Sequence, residues 1–191
     1  MSPAFRRRTL APLLGAVLAL ASCTATVPQE AEPSRPTATH DPVPLSSFDL
    51  SGLSELGYEH NPNLESANLT QWQSPGCIVQ ALVAPTVGSG DDAADSVAAF
   101  DSLGPEFTGL TEGGWVRLPL GEGGTLTMTV RKGAVSLDGA AAPIDVAARS
   151  VGEVGTLFVI THSCEQDAQN PTSIEGVVQR IILDGVLNPD A

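Results

Sequence analysis

From Trp115 to Ser163 the chain offers almost nothing but strand, and this run limits the fold more than any other stretch. Trp115 to Leu120 and Thr125 to Lys132 flank Gly121-Glu122-Gly123-Gly124, which spells a hairpin turn of about four residues. Leu126, Met128 and Val130 alternate with Thr125, Thr127, Thr129 and Arg131, so the hairpin has one core face and one wet face. A short Ala134 to Leu137 strand turning at Asp138-Gly139 follows, then another strand from Ile144 to Ala148. In Thr156 to Ser163, Leu157, Phe158, Val159 and Ile160 leave neither face polar, which predicts a central strand covered on both sides.

Regular apolar positions begin near Phe48, with Leu50, Leu53 and Leu56, and lead to a turn at Asn61-Pro62-Asn63. After the turn signal Ser74-Pro75-Gly76, the stretch Cys77 to Val83 alternates, with Cys77, Val79, Ala81 and Val83 on one face and Ile78, Gln80 and Leu82 on the other. Asp91 and Asp92 stand where a helix N-terminus favours negative charge, and a helix from Asp92 to Leu103 should follow, stopped by Gly104-Pro105. Asp91, Asp92 and Asp95 lack the alternating oxygen donors of a calcium loop, which favours capping over metal. A second helix is predicted from Thr172 to Leu187: Thr172 and Glu175 match a capping box, and Ile174, Val177, Val178, Ile181, Ile182 and Val186 form a stripe that must pack on the sheet. The expected fold class is α+β, an antiparallel β-sheet packed by two helices in a two-layer arrangement.

The N-terminus carries a different message. Arg6, Arg7 and Arg8 precede an apolar stretch from Leu10 to Ala21, the charged-then-apolar order of an export signal. At roughly twelve residues, this stretch is short of the about 20 needed to span a bilayer. Leu20-Ala21-Ser22-Cys23 resembles a bacterial lipobox. The resemblance implies cleavage before Cys23, diacylation of its sulfur with palmitate-like chains, and anchoring at the extracytoplasmic face of the cell membrane. Two or three acyl chains suffice for stable anchoring. Residues 1–22 would be the signal peptide, 23–47 the acylated cysteine and a disordered tether, and 48–191 one globular domain. Pro28, Pro33, Pro36, Pro42 and Pro44 lie in the tether among few core-forming residues. Its coil of about 24 residues would reach roughly 25 to 30 Å.

Charge excludes one class of partner. Against 22 acidic residues, the only basic ones after Cys23 are Arg35, Arg117, Arg131, Lys132, Arg149 and Arg180, too few and too scattered to displace counterions from a polyanion. Nucleic-acid binding is therefore not expected. Cys77 and Cys164 are the two cysteines left besides Cys23, and in an exported chain such a pair is expected to be oxidised. The bond would tie two strand ends together with Cα atoms about 5.5 to 6 Å apart. By loop entropy it would contribute about 4 to 5 kcal/mol at most.

Catalytic patterns are missing from the sequence: no HExxH, no GxSxG, no phosphate-binding glycine loop, and no second histidine near His162. His40 falls in the tether and His60 in a turn region. His162 and Cys164 could share a strand face, but Cys77 is available to oxidise Cys164, and Glu165 and Asp167 read as a solvated loop. No catalytic residue, metal ligand or cofactor is assigned.

The order of elements from about residue 68 to 187 resembles the PsbP/Mog1-like domain. It rests on Trp72, the Cys77 to Val83 strand, the Asp92 to Leu103 helix, Trp115 to Lys132 and the Thr172 to Leu187 helix. Members of that fold act as accessory or binding proteins, so the resemblance implies a non-enzymatic envelope lipoprotein, a monomer held to the membrane through Cys23. The alternative is a carrier of lipid or another small apolar ligand, although the chain has only two Trp, one Tyr and five Phe to line a cavity. The acidity favours an envelope protein partner with a basic surface. Its expected contact face is the Thr125, Thr127 and Thr129 side of the hairpin, opposite a two-helix cover.

Overall fold

A computed structural model of the chain describes residues 47–86, 89–137, 140–165, 168 and 172–185. The predicted signal peptide, Cys23, the tether up to residue 46, the Asp138-Gly139 turn, Asp167 and the Leu187-Asn188-Pro189 helix end lie outside the described residues. In chain order the elements are β1 (Ser47–Asp49), a 3-10 turn (Ser51–Leu56), β2 (Glu59–His60), a second 3-10 turn (Pro62–Leu64), β3 (Leu69–Ser74), β4 (Cys77–Pro85), α1 (Asp92–Asp101), β5 (Phe107–Pro119), β6 (Thr125–Leu137), β7 (Ala140–Val151), a third 3-10 turn (Gly152–Val154), β8 (Thr156–Cys164), α2 (Ile174–Val178) and β9 (Ile182–Asp184). Seven strands form an antiparallel sheet in the order β2-β3-β4-β8-β7-β6-β5, and β1 pairs with β9 in a small sheet of their own. The class is α+β.

The predicted central strand is β8, fourth of seven. Phe158 and Ile160 are buried on one of its faces and Val159 on the other. On the Phe158 face the sheet contributes Val79, Ala81, Val116, Leu118, Met128 and Val130 to one core, closed by Leu50 and Leu53 from the N-terminal turn and by Ile174, Val177, Val178, Ile181 and Leu183 from the C-terminal segment. The opposite face carries α1. Its Asp91 cap accepts from the Ala93 and Ala94 N–H groups, both at 3.0 Å. Only Asp91 caps the helix: Asp92 Oδ1 instead accepts from Gly152 N–H at 2.8 Å, in the turn after β7, and Asp95 Oδ2 from Ser89 N–H at 2.8 Å, in the loop before the helix.

Three expectations need correction. The C-terminal helix is five residues long, Ile174–Val178, and begins one residue later than the Thr172 capping box implied, with Ser173 as its cap accepting from Gly176 N–H. Beyond it, Ile181 and Leu183 are buried while Ile182 is 39% exposed, an alternation of period two, and Ile182–Asp184 pairs with Ser47–Asp49 as a strand. The β-branched pair Ile181-Ile182 and the glycine at 185 make helix a poor choice there, and β1 offers a ladder instead. The layers are also three rather than two, because α1 lies on the threonine face. Arg131, which alternates with Val130 along β6 as Thr129 does, stacks its guanidinium 5.5 Å from the Phe100 ring of α1. Finally, β5 starts at Phe107, eight residues before the expected Trp115. Its first half is interrupted by register shifts between Thr108 and Thr111 and between Glu112 and Gly114, where Gly109 (φ 62°) and Gly114 (φ 90°) take the left-handed conformation. Glycine-borne bulges hid the strand from an alternation test.

Ser96 fixes α1 to the sheet: its Oγ donates to Asp92 O and accepts from Ser150 N–H at 2.8 Å, in a fully buried position. Ser96→Ala should therefore cost about 1 to 3 kcal/mol, the penalty for a buried backbone donor left without an acceptor. Urea unfolding of variant and parent checks this, with the midpoint falling and the slope unchanged.

Candidate functional site around the Cys77 to Cys164 bridge

The turn Ser74-Pro75-Gly76-Cys77 sets up the site. Proline presets φ and Gly76 sits at φ 84°, the pattern of a type II turn, so β3 folds back into β4 with Ser74 opposite Cys77. Cys77 is then the first residue of β4 and pairs directly with Cys164, the last residue of β8. The two are joined as a disulfide spanning a sequence separation of 87. The Cα–Cα distance is 4.1 Å, shorter than the 5.5 to 6 Å expected. The reason is register. Glu165 N–H donates to Gly76 O at 2.7 Å, which makes the neighbouring pair the hydrogen-bonded one and leaves the cysteines at the close, non-hydrogen-bonded position of an antiparallel ladder.

Two residues before Cys164, His162 shares its face, as strand alternation requires. The ring is 5% exposed. Its Nε2 lies 3.2 Å from Cys164 Sγ and 3.0 Å from the hydroxyl of Tyr58, itself 3% exposed in the segment between the first 3-10 turn and β2. Burial lowers the His162 pKa to about 4, so the imidazole is neutral at pH 7. A neutral ring whose Nε2 accepts the phenol proton carries its own hydrogen on Nδ1. Burial also raises the Tyr58 pKa, opposed by a hydrogen bond with Ser74.

Asp145 on β7 is the register partner of His162, yet its carboxylate reaches Lys132 Nζ at 3.8 Å. Burial raises the Asp145 pKa, against the pull of Lys132. The His162 shift comes from desolvation, so the pair does not act as an Asp-His couple. What the cluster holds is a buried phenol-to-imidazole hydrogen bond with the bonded sulfurs in contact beside it, the Cys77, His162 and Cys164 donor atoms all lying within 4.8 Å of one another. While the sulfurs are bonded to each other, the imidazole is the one strong donor of the three.

The Cys77 and Cys164 expected to join are joined, and the shared face of His162 and Cys164 becomes a contact. Cys23 lies outside the described residues. Tyr58 was missed. As the chain's single tyrosine it had a signal, because a phenol that goes into a core needs a polar partner. Trp115 was missed as a surface feature. It is 61% exposed on the outer strand β5, opposite Thr129, and its ring lies 5.1 Å from the Arg117 guanidinium.

No protein-family model matches the chain, and no curated protein matches it. A solved structure from Bacteroides thetaiotaomicron is similar over 70% of this chain and 43% of that one, at 9% identity and a TM-score of 0.40. The chain thus spans less than half the length of that protein.

The neutral, buried imidazole makes stability depend on pH in a defined window. Its folded pKa of about 4 lies below the ordinary 6.5, so between these values the unfolded chain binds more protons than the folded one. Stability from this group is present above pH 6.5 and lost as pH falls toward 4. Between pH 7 and 4.5 the loss should be about 2 to 3 kcal/mol. Unfolding of the parent and of His162→Asn at both pH values isolates it: the parent should lose that much more than the variant, while the carboxylates titrate alike in both.

Proposed function

We propose that this chain is a lipoprotein of the cell envelope, exported by residues 1–22, anchored through lipid on Cys23, and held off the membrane by residues 23–47. Residues 48–191 serve as a binding module of the PsbP/Mog1-like type that does no chemistry of its own. The observation carrying this reading is the junction Leu20-Ala21-Ser22-Cys23, where an apolar run behind three arginines meets a proline-rich stretch. The Cys77 to Cys164 disulfide supports it, since such bonds persist in oxidising compartments. Trp115 supports the binding role. A tryptophan open to water on an outer strand, stacked by Arg117 and beside Thr127 and Thr129, has the chemistry of an interface anchor. The chain's acidity acts at longer range, favouring encounter with a partner of basic surface.

Cells fed an alkyne-labelled palmitate test the anchor. The parent should take up label and pellet with membranes, and Cys23→Ser should lose the label and leave the membrane fraction. Label and membrane retention in Cys23→Ser would overturn the reading. In the same cells, crosslinking to partner protein should drop several-fold in Trp115→Ala, and again at raised salt, where charges are screened over about 10 Å at 0.1 M.

A further inference from the structure

Three buried or half-buried donors meet at the end of β4 and β8, and the proposed binding role uses none of them. Cys77 and His162 are buried, Cys164 is half-buried, and their donor atoms lie within 4.8 Å of one another on one sheet face. We infer that reduction of the Cys77 to Cys164 bond turns this cluster into a Cys2His site for a thiophilic cation of the zinc type, with Cys77 Sγ, Cys164 Sγ and His162 Nε2 as ligands.

The donor set is the argument. Two thiolates and one imidazole suit zinc, which takes sulfur at about 2.3 Å and nitrogen at about 2.0 to 2.1 Å in tetrahedral geometry. Such distances place the two sulfurs nearly 4 Å apart, a separation that side-chain rotation provides once the bond is cut. The backbone need not move. The strands are held by a ladder of nine register pairs from Cys77 with Cys164 to Pro85 with Thr156, and His162 is carried on the same strand as one of the sulfurs. With three protein ligands the fourth position is left to water. The Tyr58 hydroxyl gives up Nε2 when the metal takes it, and is then placed to hydrogen-bond that water.

Cys164 is the more exposed of the two cysteines, so an external dithiol attacks there. One thiolate of the dithiol bonds to Cys164 Sγ and expels Cys77 as thiolate. The second thiol of the reductant then closes its own disulfide and releases Cys164. Two electrons and two protons pass from the dithiol to the protein. Metal binding displaces those two protons from the two thiols. In this scheme the bond and the cation exclude each other, and the protein is metal-free when oxidised and metal-loaded when reduced.

The test uses the full chain carrying Cys23→Ser, so that only Cys77 and Cys164 contribute sulfur. The protein is reduced with a dithiol, freed of it without oxygen, and titrated with Zn2+ against a chromophoric chelator and with Co2+ for its tetrahedral d-d absorption. One Zn2+ per reduced chain, none per oxidised chain, and thiolate-to-Co2+ absorption are expected. His162→Gln should weaken binding at least about tenfold, the effect of losing one of three ligands, while Tyr58→Phe should bind nearly as the parent does. Bound Zn2+ should also slow reoxidation by diamide by about the same factor. No uptake by the reduced chain, whether folded or unfolded by circular dichroism, overturns the inference. So does equal affinity in His162→Gln, because an unfolded chain holding metal through cysteines alone would give that result.

Discussion

The pairing of β4 with β8 is the constraint on which the rest of the structure depends. Every other strand of the large sheet is added outward from this pair, β3 and β2 on one side, β7, β6 and β5 on the other. Because side chains alternate, a slip of β4 by one residue against β8 would turn Val79 and Ala81 away from the core and bring Gln80 into it, and a slip of β8 would do the same with Phe158, Ile160 and Thr161. Cys77 opposite Cys164 makes that slip impossible once the bond has formed. The polar alternates find partners of their own on the far face, where the Gln80 amide donates to Gln71 at 2.7 Å and Thr161 donates to Gln80 at 3.4 Å. Hydrophobic pattern, cross-strand polar row and covalent bond all specify one register.

Strands with strict alternation were legible in the sequence. Leu126, Met128 and Val130 lie on the core face as their spacing requires, and the unbroken apolar run of β8 marked it as central. What could not be read was structure decided by partners remote in sequence. Ile181, Ile182 and Leu183 fit a helical stripe as well as a strand, and β1, more than a hundred residues earlier in the chain, settles the matter by offering its ladder. Likewise, the wet face of the β5-β6 hairpin is half-claimed by α1 through Phe100 and Arg131, a contact that neither segment announces alone.

The site follows the same division. Two cysteines in a chain with an export-type N-terminus point to a bond, and strand alternation puts His162 beside Cys164. Tyr58 enters from a segment over a hundred residues away from His162, so its role is a product of tertiary packing. The shortened Cα spacing, too, follows from which ladder pair the cysteines occupy, and hydrogen-bond phase is not written in spacing.

The small β1-β9 sheet bears on how the domain answers a mechanical load. Ser47–Asp49 and Ile182–Asp184 are the outermost described strands of the chain, and tension applied at Ser47 first meets this three-residue ladder and the edge-on contact of Phe48 with Phe158, ring centroids 5.8 Å apart. The ladder lies outside the loop closed by Cys77 and Cys164, and Phe48, also outside it, leans on Phe158 within it. A stretched molecule therefore peels at its ends while the covalent link stays slack. When the link finally tightens, it takes the strain across one bond and shields the residues from Ile78 to Ser163, so extension halts with the middle of the sheet intact.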